Sequence, residues 1–536
     1  MSRSWCRVKP ADELVLIPVQ KSCPECGRAM RIRYTNRRAV VSLRGLVCLR
    51  LKIRHCEDRT CGRYHQAWRP EAEGALALPQ HEFGLDVIAL VGTLRYREHR
   101  SVPEIHRELD RRGVAVSQRS VTNLLDRYDE LVAASAGTAA HRETLERQGR
   151  AILAVDGLQP DVGHEVLWVI RECLSGLVLL ARSLLSSTAT DLAGLLREVA
   201  DDLAAIGIAV AGVVSDGQSP IRLAVAQVWP EVPHQLCHFH YLREAALPIY
   251  EADRHAKKEL KKAVRGVRPI ERTVEGRDDE AARIVLGYCA AVRSALTDDG
   301  RPPLEATGLR LHDRLKRIEA SLGRIEEKGG RLPTELRKLR SLLAKGLGQT
   351  RALWPDIRST YRWVHAAARI LKNTAGRAAE DVKARYARLL EEWNKRKDAC
   401  GRLGEAVERF LKVTRSYRPG LFHYLEVPDL PPTNNGLEQF FGAQRHHERR
   451  TTGRKVASPS LVVRGSVRVL AATLTRLAPV SAADLAAVDV ATWRQTRERL
   501  KRRHHARVMR ARFRRNPAAY LADLEQRAFQ QQALPP

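Results

Sequence analysis

Two stretches, Ile152-Leu153-Ala154-Val155-Asp156-Gly157 and Val213-Val214-Ser215-Asp216-Gly217, decide how this chain reads. Each is a short apolar run closed by Asp-Gly, the pattern of a buried strand ending in a turn. A carboxylate at the end of such a strand stands at a sheet edge, where it can hold a hard metal ion. A third carboxylate, Glu438, lies far downstream in Thr433-Asn434-Asn435-Gly436-Leu437-Glu438.

Working outward, residues 150–157, 165–172 and 177–183 read as strands rich in Val, Leu and Ile. Residues 190–205 carry Leu192, Leu195, Leu196, Val199 and Leu203 at helical spacing. A strand over 208–215, a helix over 221–228 and a short strand at 234–237 follow. The order β-β-β-α-β-α-β describes a mixed sheet with helices packed on it.

The totals bound the partners. The chain has 536 residues, of which 44% are hydrophobic, enough for several buried cores. Its 92 Lys and Arg against 62 Asp and Glu give a net charge of +30. A cationic excess of this size favours a polyanion, foremost nucleic acid, whose phosphates release counterions when Arg and Lys approach. The bland alternative is Arg-rich coding. No apolar run reaches the roughly 18 residues a spanning helix needs, and the N-terminus lacks an apolar signal core. The expected location is therefore cytoplasmic and nucleoid-associated, with no membrane partner.

Ten cysteines in this length are too sparse for a disulfide scaffold. Cys23-Pro24-Glu25-Cys26-Gly27 and Cys56-Glu57-Asp58-Arg59-Thr60-Cys61-Gly62 flank a strand-like stretch, Arg37 to His55. Two Cys pairs on turns with β structure between them describe a zinc ribbon over residues 1–80, with structural Zn2+ on Cys23, Cys26, Cys56 and Cys61. Cys48 and His55 are alternative ligands, and buried free thiols the bland reading.

Residues 81–135 read as three helices. Ser101 with Glu104 has capping-box spacing, Gly113 ends the second helix, and Ser117 begins the third. This is a helix-turn-helix pattern, with a plain helical bundle as the alternative. The outer face of the third helix offers Gln118, Arg119, Thr122, Asn123 and Arg127 to DNA.

After residue 245 the chain turns helical. Residues 309–347 read as a helical hairpin broken at Gly329-Gly330 and Pro333. Helices also fit 361–372, 378–413 and 434–450, the last preceded by a Pro-rich lead-in. Trp354, Trp363 and Trp393 are core candidates, with Trp363 the one preferred for stacking on a base. Residues 494–515 hold eleven Lys or Arg against one acid, Glu498, and can track phosphates.

Phosphodiester chemistry by two divalent ions needs carboxylates that hold the ions roughly 3.5–4 Å apart. A carboxylate on a first strand, one on a neighbouring strand and one from a helix packed on the sheet are the usual suppliers. Asp156, Asp216 and Glu438 fit those places, with two Mg2+ (or Mn2+) as cofactors. An Asp-Gly turn and a capping-box Glu after Asn435 are the bland alternatives. Asp161, Glu165 and Glu448 are spare carboxylates.

Together these elements resemble bacterial insertion-sequence transposases of the DDE type, close in pattern to the Mutator-like superfamily. The resemblance rests on Val155-Asp156-Gly157, Ser215-Asp216-Gly217, Gln235-Leu236-Cys237-His238-Phe239-His240 and the Thr433 to Glu438 run, and covers roughly residues 150–470. Cys237 and His240 match a Cys-x-x-His marker of that superfamily. Asn434 and Asn435 before the Glu also match, as do Arg445, Arg449, Arg450, Gly453 and Lys455 after it. Residues 234–240 could instead form a metal site; the favoured reading makes Cys237 core, lets His240 position DNA or a carboxylate, and turns His238 to solvent.

The resemblance implies a multidomain α+β chain with a ribonuclease H-like α/β core. The core would comprise 148–245 and 429–475, interrupted by an all-helical insertion over 246–428 and followed by a basic helical tail, 476–536. It implies that the zinc ribbon and helix-turn-helix recognise terminal inverted repeats. It also implies cleavage of element ends and strand transfer into target DNA by a homodimer or higher oligomer. A non-catalytic DNA-binding regulator and a nuclease of the same fold without strand transfer are the competing readings.

Overall fold

The computed structural model describes residues 10–135, 139–159, 165–300, 302–454 and 459–532. Asp161 and Lys455 lie outside the described residues. The fold is mixed α+β with helices predominating. The chain divides into two compact units, 1–210 with 435–536, and 211–434.

The first unit opens with β1 (Asp12–Leu16), β2 (Arg31–Ser42) and β3 (Gly45–His55). β2 and β3 form an antiparallel hairpin closed by Ser42 opposite Gly45, and β1, which the sequence reading missed, pairs parallel with β3. Period-two alternation decides the faces: Leu49, Leu51 and Ile53 are fully buried, while Arg50, Lys52 and Arg54 take the other side. A short helix, α1 (Glu73–Leu76), buries Glu73 between Arg38 and Arg69 at 2.5 and 2.7 Å.

Three helices follow, α2 (Leu85–Tyr96), α3 (Val102–Arg111) and α4 (Gln118–Ala134). The expected caps are present. The Ser101 N–H donates to Glu104 at 2.6 Å, Gly113 takes a φ of 75°, and Ser117 Oγ accepts the Ser120 N–H at 3.1 Å. Gly92 lets α2 approach α4 closely, since a Cβ there would fall 2.1 Å from the Tyr128 ring. After α5 (Ala139–Gln148), β4 (Arg150–Leu158), β5 (Val166–Glu172) and β6 (Val178–Leu184) make an antiparallel meander, and α6 (Ala189–Ala204) packs on β6. Residues 151–155 are buried at every position, and α5 packs on the strand. β4 continues through Asp156-Gly157 to Leu158, so this Asp-Gly lies inside the strand and does not close it.

β7 (Ala209–Ser215) leads into the second unit, where it pairs parallel with β8 (His234–Leu236) across α7 (Ser219–Val228). Nine α-helices follow among the described residues: α8 (His238–Ala245), α9 (Leu247–Ala263), α10 (Val267–Arg272), α11 (Glu280–Thr297), α12 (Thr307–Glu327), α13 (Thr334–Gln349), α14 (Trp354–Lys372), α15 (Ala379–Lys395) and α16 (Gly404–Tyr417). They share one apolar core running from Leu236 to Phe422. The hairpin α12–α13 turns at Gly329 as its sequence indicates. The single helix expected over 378–413 is instead two, α15 and α16. Gly401, with a φ of 56°, breaks the run inside a 3-10 turn.

Residues 435–532 return to the first unit as α17 (Asn435–Thr452), α18 (Pro459–Leu477), α19 (Ala482–Ala486), α20 (Val490–Arg515) and α21 (Pro517–Gln532). α18 packs on α2 and α4 on one side and on β5 and β6 on the other. The three-helix segment is thus joined to the sheet through a helix more than 300 residues away in sequence.

Candidate functional site

Four sulfurs meet at the base of the β2–β3 hairpin. Sγ of Cys23 and Cys61 are 3.8 Å apart, those of Cys26 and Cys56 3.6 Å, and all four lie within 4.8 Å of one another. Thiolates about 2.3 Å from a tetrahedral zinc stand about 3.8 Å from each other, so the spacing fits a bound metal ion. The loop at Cys23 is closed by the Gly27 N–H donating to the Cys23 carbonyl at 2.9 Å, with Gly27 at a φ of 72°. Gly62 serves proximity instead: a Cβ there would fall 2.7 Å from Glu25 Oε1. The Arg63 N–H donates to Cys61 Sγ at 3.3 Å, and Arg28 pairs with Asp58 at 3.2 Å to tie the two loops. N–H groups of Cys26 and Glu25 pull the Cys23 thiol down to about 7. At Cys61 the Arg63 N–H acts in the same direction, but burial and the neighbouring thiols outweigh it and push the group up to about 12. A cation would relieve that crowding. Cys48, on β3, and His55 lie outside the group.

Asp156 is half-buried on β4, and its Oδ1 accepts the Gly157 N–H at 2.7 Å. Strand register places it opposite Val169, and Ala154 opposite Arg171. Cross-strand partners share a face, as do residues two apart, so Ala154, Asp156, Val169 and Arg171 lie on one side of the sheet. α17 packs against β4, and a Cβ at Gly436 would come within 3.4 Å of Arg171 Nη1. The first turn of α17 therefore sits on the face that carries Asp156. Glu438 belongs to that turn and is half-buried. Leu437, Phe441, Gln444, His447 and Thr451 form the buried stripe of the helix.

Asp216, in the second unit, immediately follows β7 and is only 6% exposed. Its Oδ1 accepts the Gln218 N–H at 3.0 Å and its Oδ2 the Gln218 side-chain amide at 2.6 Å. Each carboxylate oxygen keeps a further lone pair. Gly217 takes a φ of 84°, and a Cβ there would fall 2.8 Å from the Tyr417 ring. The Tyr417 hydroxyl donates to Glu244 at 2.9 Å and lies 3.3 Å from the Asp216 carbonyl, while Arg222 stacks on its ring at 4.3 Å and donates to the Gly217 carbonyl. Gln218, Arg222 and Tyr417 escaped the sequence reading. Gln218, directly after an Asp-Gly, was the one local signal.

The Cys-x-x-His run caps a helix. Cys237 is fully buried at the start of α8, and its Sγ accepts the Asn434 N–H at 3.3 Å. His240 is half-buried on α8. His238 is not turned to solvent: it is 6% exposed, since residue 238 begins a helix and strand alternation does not apply. Its Nε2 is 2.7 Å from the Leu421 carbonyl, and burial lowers the imidazole to about 4. Trp354 and Trp393 are core. Trp363 stacks parallel on Trp393 at 5.9 Å, so that face of the indole is occupied.

On α4, Gln118, Arg119, Thr122 and Asn123 are exposed as expected. Arg127 is not exposed with them. It is half-buried and ion-paired with the buried Glu130 at 3.0 Å, where α18 and α20 pack on α4. Arg445 and Arg449 are exposed on α17, as is Asn435 at its start. Arg450 is held by Glu104 of α3 at 2.7 Å; that guanidinium and the Ser101 N–H and hydroxyl keep Glu104 down at about 2. The spare acids are engaged as well. Glu165 receives Arg503 and Arg510 of α20, and Glu448 stands 3.8 Å from Arg468.

Among the described residues no helix is long and apolar enough to cross a membrane. No protein-family model and no curated protein matches this sequence.

Proposed function

We propose that the chain is a DDE-type DNA transposase that cleaves insertion-sequence ends and joins them to target DNA. The observation that carries this reading is the shared sheet face of Asp156 and the first turn of α17. The helix that carries Glu438, 282 positions after Asp156, packs on the strand of that aspartate, and this chemistry calls for a carboxylate from such a helix. Asp156, Asp216 and Glu438 would hold two Mg2+ (or Mn2+) ions. When bound, the ions supply activation of a water or 3′-hydroxyl and stabilisation of the leaving oxygen. Gln218 and Tyr417 fix the Asp216 turn, and the Cys237 contact fixes the residues that lead into α17. Zn2+ on the four cysteines holds the N-terminal module, which with α4 recognises the terminal repeats. The proposed setting is the nucleoid, with the protein as a dimer or higher oligomer on DNA.

The test is cleavage and joining of a supercoiled plasmid that carries this gene with its native flanks. Wild-type protein should cut at the flanks with Mg2+ and yield joined products. Asp156→Asn, Asp216→Asn and Glu438→Gln should bind but not cut. Cut DNA with no joined product would favour the nuclease, and binding with no cutting by wild-type protein the regulator.

A further inference from the structure

A cationic groove in the second unit has no part in the chemistry above. It is a cavity of about 460 Å³ along α9, lined by Arg254, Lys257, Lys258, Lys261, Lys262 and Arg265, with Asp299 the one carboxylate. Three of the six cations are matched. Lys257, itself buried, donates to Asp299 at 2.6 Å and to the Asp298 carbonyl at 2.8 Å, which fixes the far wall. Arg254 pairs with Glu251 at 2.8 Å and Lys262 with Glu259 at 2.7 Å. Lys258, Lys261 and Arg265 have no ion-pair partner among the described residues.

Lys258 and Lys261 continue the spacing from Arg254 at intervals of four and three, so these lie on one helix face, and Arg265 follows in the turn just past the end of α9. Like charges at that spacing repel by about 0.2–0.5 kcal/mol per pair, and nothing in the apolar core beneath requires them. From Arg254 to Lys261 the helical part of the stripe runs about 10 Å at 1.5 Å per residue, and Arg265 extends it past the helix end. That helical part alone is about three steps of a duplex at 3.4 Å each, longer than a single nucleotide can engage.

We propose that this face of α9 is a second binding site for duplex DNA, reading the phosphate backbone without sequence preference. The site rests on the DNA-binding reading above and extends it to the helical unit. Counterion release makes its signature a salt slope. Each neutralised phosphate contributes about 0.9 to the fall of log K with log salt.

The experiment uses the full chain and a random-sequence duplex, with binding measured across a salt series. The test variant is Lys258→Gln/Lys261→Gln/Arg265→Gln. The control, equal in charge, is Lys328→Gln/Lys338→Gln/Lys345→Gln, which alters exposed lysines at the end of α12 and on α13. The groove variant should show a slope shallower by roughly 2–3 with an unchanged unfolding midpoint, and the control should keep the wild-type slope. A groove variant with the wild-type slope, or a control that loses as much, overturns the site while leaving the transposase reading intact. Wild-type protein that binds no duplex at all overturns both.

Discussion

Cys237 Sγ accepts the backbone N–H of Asn434 at 3.3 Å, and the neighbouring His238 N–H donates to the Pro432 carbonyl at 3.0 Å. Two residues at the start of α8 therefore grip the last residues before α17, the helix that carries Glu438. The Cys-x-x-His run thus acts at its first position as a clamp on the Pro-rich lead-in.

Cys237→Ala should leave the buried Asn434 N–H without its acceptor. An unsatisfied buried donor costs about 1–3 kcal/mol, and loss of the buried sulfur adds to it. The expected outcome is a lower urea midpoint together with reduced cleavage. Cys237→Ser, which keeps an acceptor, should fall between. Equal midpoints for the alanine variant and wild type would remove the clamp from the account.

The four-cysteine cluster should purify with one zinc per chain, and Cys26→Ser or Cys56→Ser should abolish it. Structural zinc is coupled to folding of the module that holds it. Chelation should therefore raise proteolysis within residues 10–70 while sparing the second unit. Metal-free wild-type protein with an unaltered digestion pattern would contradict this.

Arg119 and Arg127 lie on one helix but differ in surroundings, and the two alanine variants should separate. Arg119→Ala should cost end binding about 1–3 kcal/mol, the range of a good base contact, with stability unchanged. Arg127→Ala should instead take one guanidinium from the buried Glu130, which keeps Arg464 at 3.2 Å and the Trp493 N–H at 3.1 Å, and lower the thermal midpoint. Footprinting of the gene's flanks, set beside thermal melts, reads both; the reverse pattern would refute the assignment of faces.

His234 and His238 are both held near 4 by burial, with Arg222 adding to the effect at His234. In the unfolded chain each titrates near 6.5. Between those values the unfolded chain binds more protons, so stability is full above about pH 6.5 and is lost as pH falls toward 4. Each group contributes about 1.4 kcal/mol per pH unit in that window. His238→Gln, which can still donate to the Leu421 carbonyl, should flatten the acid limb of the stability profile by that slope. An unchanged limb would show that His238 is not buried neutral.

Where local chemistry decides structure, the sequence was a good guide. Ser101 with Glu104, Ser117 and Gly113 define helix ends by hydrogen bonds within a few residues. The strands at 150–158, 166–172, 178–184 and 209–215 follow from apolar runs between turn residues, and the two Cys pairs carry their own spacing rule. Contacts made between distant segments were not legible. The inward turn of Arg127 depends on Glu130 meeting α18 and α20, and the Arg450 pair on α3 lying beside α17. The Asp216 turn depends on Tyr417, 201 residues away in sequence. Strand β1 was missed because Leu14, Val15 and Leu16 are all apolar although Val15 faces out, so the sequence itself shows no alternation. His238 was misread by extending strand periodicity one residue past β8, where a helix begins.

The central claim is that Asp156, Asp216 and Glu438 together carry metal-dependent strand cleavage. The most direct measurement is Mg2+-dependent nicking of the gene's flanking DNA by wild type, Asp156→Asn, Asp216→Asn and Glu438→Gln, with DNA binding followed in parallel. The account predicts wild-type nicking at the element ends, loss of at least a hundredfold for every variant (about 2.7 kcal/mol of barrier), and binding retained throughout. Any variant that binds and cuts at the wild-type rate would contradict it.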